Sequence, residues 1–517
     1  MTILDSRKLL SDLRSIPSIY RIRFLSFLLF ILSLILHAPQ VLNGLNENNS
    51  FRQSQTVMLV REFMRNGFNL QSPIPVFGFN SKIPFEFPLF QYIAAYLGNI
   101  LSLDPIVASR LLGLIFFELA ALMLFVLTHR ILGTAPAFIS LVIFLFSPFT
   151  LMWAASATIE FCAVFLMLFS INSLFKYSEE SDRSRKYLQL VLFTAALLLA
   201  SLVKITTAVV MSSLFLLALK KLIHSNASAS AKFRLNPETK VLFLPLILIL
   251  LINLKWIQFA DSVKSQNRFT ALLTSQALAD WNYGTLQDRL DVTNSFKIVN
   301  TYWGPIIGGV GSFFFFAMIG LFFADRKISV PILLSLLSGP LVFMNLYAIH
   351  DYYSIALYSS IVFLIALGYK SLFSTPSEVF RTKRLILTSM FLATILLMSA
   401  ASNYGKDYLY QRFVEPNSFP PLATEIISHS QPSTNVIYVG CDWSPLVPYY
   451  VDRTALMIPP WAPKLSESDL TGFQLLAICG PKSQNSIEIL DDIRDLGYNL
   501  IEVSENVLRL EKISENP

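Results

Sequence analysis

The strongest constraint on this chain is a series of uninterrupted apolar runs, many close to the roughly 17–25 residues that a helix needs to cross a bilayer. They fall at about 24–36, 106–128, 134–152, 156–175, 189–203, 206–220, 241–257, 303–324, 329–347, 353–370 and 385–401. A soluble fold of 517 residues can bury many apolar side chains, but not as continuous runs. Charged residues make up only 14% of the chain, against about 25% in soluble domains, and mean hydropathy is +0.56. A single soluble globule, a disordered chain and a disulfide scaffold are excluded. Three cysteines, Cys162, Cys441 and Cys479, set no redox class. The net charge of +6 is no nucleic-acid signal, because most of the basic residues sort to one side of a membrane.

That sorting sets the topology. Arg7, Lys8, Arg14, Arg21 and Arg23 precede the first run, and no small-residue cleavage site follows it, so the first run reads as an uncleaved span. The stretch 88–103 is short and carries Gln91, Tyr92, Tyr96 and Asn99. If it lies flat and the N-terminus is cytoplasmic, the cytoplasmic loops hold Arg130, 176–186, 220–240, Arg326 with Lys327, and 370–384, which are the basic loops. If it spans, the bias reverses for most of the chain. The expected fold is therefore mainly α, a polytopic membrane domain over 1–401 with about 11 transmembrane helices, or 11–13 should the weak segment cross.

Two regions are too long to be connectors, which run to about 4–6 residues. The loop 38–105 is expected on the outer face as a lid of short helices: 54–66 has helical spacing, with Val57, Val60, Phe63 and Met64 in one stripe. Pro73, Pro75, Gly78 and Pro84 break any long helix after it. A second outer loop covers 258–302. The tail, 402–517, alternates short apolar strands ending at Gly440 and Gly480 with a helical stretch at 487–496, and reads as a small extracytoplasmic α/β domain. Within it Trp443, Tyr449, Tyr450, Asp452, Arg453 and Trp461 gather, as an aromatic sugar-binding face or as a structural cap. Cys441 and Cys479 each end a strand and can pair if those strands are neighbours.

This topology brings an acid–base set to one face: Glu47, Arg52, Glu86, Glu160, Lys204, Arg289, His350 and Tyr353. Each alone has a plain reading as a loop, headgroup-level or snorkelling residue. Together, carboxylates beside cations suit activation of a hydroxyl or amine and binding of a lipid phosphate. That equipment serves a transferase with a lipid-linked donor, or a transporter with an outward gate. No zinc motif, P-loop or dinucleotide fingerprint is present. Oxygen ligands at Glu47, Glu86 or Glu160, with His350, would favour a hard divalent cation, although nothing in the sequence demands one.

The layout and several motifs resemble the GT-C integral-membrane glycosyltransferases, in the bacterial branch of protein mannosyltransferases and the lipid A aminoarabinose transferase. The resemblance covers about 20–400. It rests on Asn46-Glu47-Asn48-Asn49-Ser50-Phe51-Arg52, Phe85-Glu86-Phe87-Pro88-Leu89-Phe90-Gln91-Tyr92, Glu160 near the start of a span, Lys204-Ile205-Thr206-Thr207, and His350-Asp351-Tyr352-Tyr353. The family's acidic pair in the first loop is reduced here to Glu47. The resemblance implies inverting transfer of a sugar from a polyprenyl-phosphate donor to a lipid, glycan or protein acceptor at the outer face of a bacterial inner membrane. It implies Glu47 or Glu86 as base or acceptor orienter, and Glu160 as a further acceptor-side carboxylate. Arg52, Lys204, Arg289, His350 and Tyr353 are then donor-side. The rivals are a flippase of a lipid-linked sugar, for which no inverted repeat is evident, and a membrane-anchored binding protein.

Overall fold

The computed structural model describes residues 18–45, 49–224, 240–298, 311–373, 419–480 and 484–513. Among these residues, six helices are long and apolar enough to cross a membrane: Phe24–Leu42, Pro105–Leu132, Glu160–Glu179, Arg183–Val203, Phe243–Lys264 and Asp351–Leu372. The chain is a multi-pass membrane protein.

The other expected spans differ in form. Thr134–Phe146 is a helix of 13 residues, and a separate helix, Pro148–Trp153, follows it. Pro148 lacks the N–H that would continue the ladder. The apolar stretch after Lys204 is divided into Ile205–Ser212 and Phe215–His224. Arg326–Val342 carries Pro331 and Pro340 inside it. The stretch 303–324 is described only from Gly311, and 385–401 lies outside the described residues. Leu89–Leu101 has 13 residues, about 20 Å of helix, too short for a hydrocarbon core of roughly 30 Å. It packs on the helix Ser50–Asn66 and on Pro105–Leu132.

The helical core is tied by aromatic rings. Phe117 meets Phe144 and Phe161 at centroid distances of 5.4 and 5.0 Å. The tail forms a five-stranded sheet in the order β2-β1-β3-β5-β4. Its strands are β1 (Val436–Val439), β2 (Ala455–Ile458), β3 (Leu475–Ile478), β4 (Tyr498–Ser504) and β5 (Val507–Lys512). β1 runs parallel to β2 and β3, while β5 is antiparallel to β3 and β4. Every residue of β1, β2 and β3 is buried, as expected of strands covered on both faces. Cys441 and Cys479, just past the ends of β1 and β3, form a disulfide with Cα atoms 5.1 Å apart.

The edge of β2 is not free. Residues 75–78 of the first long loop lie along it: Ala455 N–H donates to Pro75 O at 3.1 Å, Met457 N–H to Val76 O at 2.8 Å, and Gly78 N–H to Ala455 O at 2.8 Å. The tail thereby closes over the lid. The sequence pattern leaves Arg61 on the polar side of the lid helix. In the structure that side is covered by the tail, and Arg61 is buried.

Candidate active site

Three segments converge to build the site, and each is held by interactions far apart in sequence. The first is 154–159, which leads into Glu160. Gly113 allows Pro105–Leu132 to press against this segment, since a Cβ there would stand 2.3 Å from Ser156 O. Buried Arg110 donates to Ala155 O at 3.2 Å and to Gly44 O at 2.7 Å. The Gln53 side chain accepts from Ala157 N–H at 3.0 Å. Glu160 is thus set at the first turn of its helix, where the helix dipole favours a carboxylate.

The second segment is Phe85-Glu86-Phe87, gripped from several sides. Trp256 Nε1 donates to Phe85 O at 3.1 Å, and Phe87 N–H donates to Leu202 O at 2.9 Å. Trp443 of the tail packs on the Phe85 ring at 5.8 Å, and Lys264 Nζ lies 4.9 Å from the centroid of that ring. The third is the break at Lys204, which is extended (φ −157°, ψ 91°) between two helices. That geometry turns its side chain into the protein, where it is 4% exposed.

The result is an alternating quartet of charges. Arg52 donates to Glu86 Oε1 at 2.6 Å, and its Nε lies 3.9 Å from Glu160 Oε1. Lys204 Nζ sits 3.1 Å from Glu160 and 3.5 Å from Glu86. Below it lie the rings of Tyr353 and Tyr352, at 4.5 and 5.5 Å. Burial disfavours the Glu86 charge, but Arg52 and Lys204 outweigh it and hold the carboxyl below its usual range. Burial likewise disfavours the Arg52 charge, and Glu86 with Glu160 more than restores it, so the guanidinium is held charged. Both Glu160 oxygens are buried and, among the described residues, accept no hydrogen bond; their neighbours are ionic.

Of the eight residues singled out from sequence, Arg52, Glu86, Glu160, Lys204 and Tyr353 meet here. His350 stacks on Tyr352 at 5.2 Å and lies tilted against Tyr353 at 6.1 Å. Burial, with Lys204 and Arg52 nearby, pushes it down to about 4, so it is neutral at pH 7. Arg289 is engaged elsewhere. It donates to Tyr283 O, Leu341 O and Val342 O, and so caps the end of Arg326–Val342. Glu47 lies outside the described residues. Asn49, two positions on, donates to Asp351 at 3.0 Å and ties the first loop to the His350 element. Among the described residues no three His, Cys, Asp or Glu side chains come together as metal ligands. Gln53 stands in the run Phe51-Arg52-Gln53-Ser54-Gln55-Thr56, whereas Trp256, Lys264 and Arg110 carry no local motif; an indole or cation near the end of an apolar run was the only signal for Trp256 and Lys264.

The chain superimposes on the crystal structure of ArnT from Cupriavidus metallidurans bound to undecaprenyl phosphate with a TM-score of 0.61 at 12% identity, covering 95% of this chain and 98% of that one. The apo structure of the same protein gives 0.60 at 13% identity, over 94% and 97%. The cryo-EM structure of the mycobacterial arabinofuranosyltransferase AftD gives 0.56 at 14%, over 95% of this chain and 40% of that one. No family model and no curated protein matches the sequence. The chain therefore has the GT-C fold, the fold of these membrane glycosyltransferases. Its arrangement is ArnT-like, and the likeness runs nearly end to end in both chains.

Proposed function

We propose that the chain is a membrane glycosyltransferase that moves a sugar from a polyprenyl-phosphate donor to a lipid, glycan or protein acceptor at the outer face of a bacterial inner membrane, with inversion. The observation that carries this reading is the buried Arg52–Glu86–Lys204–Glu160 quartet, set where the first long loop meets the spans of a GT-C fold. The acceptor oxygen or nitrogen attacks the anomeric carbon while the bond from that carbon to the phosphate oxygen breaks. A carboxylate takes the acceptor proton, and the lipid phosphate leaves with the electron pair.

Glu86, held ionised by two cations, is a weak base and serves as an anchor for Arg52 and Lys204. Glu160, which faces the same two cations but accepts no hydrogen bond among the described residues, and Glu47 are the two candidates for the proton. Lys204 and Arg52 supply positive charge for the leaving phosphate, and fixed charge in a water-poor site is worth most there. His350, neutral at pH 7, acts through hydrogen bonding rather than charge.

The test is turnover by purified full-length protein given a polyprenyl-phosphate hexose and a cell-envelope extract as acceptor. Glu160→Gln is expected to lower kcat by about 10²–10⁴-fold, the usual weight of a general base. Absence of turnover from any polyprenyl-phosphate donor, together with accelerated lipid scrambling, would assign the chain to the flippases instead.

A further inference from the structure

Beside the quartet, on the side turned to the tail, lies a small pocket that the mechanism above does not use. It is walled by Arg52 and Glu86, by Ser72 and Gln91, and by the rings of Phe85 and Trp443. Glu86 keeps 21% of its side chain exposed, whereas Glu160 and Lys204 keep 2% and 5%. Glu86 and Arg52 therefore meet the pocket, while Glu160 and Lys204 lie deeper.

Among the described residues, two polar atoms in the wall are buried without a hydrogen-bond partner, Ser72 Oγ and Gln91 Oε1. Their residues are 1% and 6% exposed. Such atoms cost about 1–3 kcal/mol each when left unpaired, so a ligand or ordered water is expected on them. Ser72 also holds φ at +48°, a region that non-glycine residues rarely occupy. Strain of this kind collects at ligand sites. The space is narrow and suits a side arm rather than a whole ring. Its chemistry is divided: aromatic walls suit a methylene, and an amide oxygen with a hydroxyl suits an O–H that both donates and accepts.

We propose that this pocket receives the hydroxymethyl arm of a hexose, and that it selects hexose over pentose; this rests on the glycosyltransferase reading. The arm belongs either to the donor sugar or to a sugar of the acceptor, and the same chemistry serves both. The experiment measures binding to the purified full-length protein of polyprenyl-phosphate glucose, polyprenyl-phosphate xylose and polyprenyl phosphate alone. These two sugars differ only by the hydroxymethyl group. Methyl glucoside and methyl xyloside are then titrated against protein loaded with polyprenyl phosphate.

If the donor sugar fills the pocket, the glucose donor binds about tenfold or more tightly than the xylose donor. Gln91→Leu and Ser72→Ala then erase that gap and leave polyprenyl phosphate binding unchanged. If the acceptor sugar fills it, the gap appears between the two methyl glycosides and is erased by the same variants. Equal binding within both pairs, or a gap that survives both variants, overturns the assignment and leaves the pocket to water. Failure to bind any polyprenyl-phosphate sugar would instead remove the glycosyltransferase reading.

Discussion

At the scale of single residues, the site is an exercise in charge compensation. Lys204 and Glu160 are sealed from solvent and 3.1 Å apart, and neither has an alternative partner in water. Removing one member of a buried pair costs about 3–5 kcal/mol, because the other charge loses its nearest partner, whereas removing both is far milder; without Lys204, Glu160 would face Arg52 at 3.9 Å. Lys204→Met is therefore expected to lower the unfolding midpoint in detergent sharply. Adding Glu160→Gln to it is expected to recover part of the loss, with a coupling of about 0.5–3 kcal/mol. Strictly additive losses in the double variant would mean that the two side chains do not compensate one another. Neither variant is expected to turn over. The cycle thus separates the structural share of the pair from its chemical one.

At the scale of elements, Phe85-Glu86-Phe87 has no regular structure of its own and takes its shape from what grips it. Trp256, on Phe243–Lys264, supplies the hydrogen bond to Phe85 O and an edge contact to Phe87 at 5.4 Å. Trp256→Phe keeps the ring and deletes the N–H. It is expected to loosen Glu86 and to lower kcat by roughly 10–100-fold, since misplacement by about 1 Å costs on that order, while KM for the donor stays within a few-fold. Unchanged kcat would show that the other contacts suffice to hold the segment. The apolar runs, the helix break at Lys204, the short helix after Pro88 and the strand ends at Cys441 and Cys479 were all legible in sequence, because each is governed by local period, length or a breaker. The approach of Arg52, Glu86, Glu160 and Lys204 followed from placing their loops on one face. Trp256, Lys264, Ser72 and Gln91 were not legible, since their roles arise from packing between segments far apart in the chain. The bonds of Arg289 were not legible for the same reason: it reaches the carbonyls that end a neighbouring helix.

At the scale of the whole molecule, the tail is a wall of the site rather than an appendage. Its β2 edge is hydrogen-bonded to residues 75–78, its Trp443 stands against Phe85, and Arg268 reaches Asp469 at 3.0 Å from the second loop. The strongest polar link is at Asp452. It receives both nitrogens of Arg65, at 2.8 and 2.6 Å, and lies 3.0 Å from Arg61. Hydrogen bonding from Arg65 holds its carboxyl below the usual range. The exposed Arg65 pair is worth little by itself. Arg61 matters more, because it is 7% exposed and, among the described residues, would keep the Tyr449 carbonyl at 2.7 Å and the ring of Tyr449 at 4.6 Å. Asp452 has φ +56°, a conformation that Asn also tolerates, so Asp452→Asn removes the charge without straining the turn. This variant is expected to leave the spans as stable as before while freeing the tail to lift. Amide exchange at Ala455 and Met457, whose N–H groups hold 75–78, should then rise several-fold, and turnover should fall with it. Faster exchange with turnover intact would reduce the tail to a cover. Exchange and turnover moving together would make its docking a condition for placing Glu86.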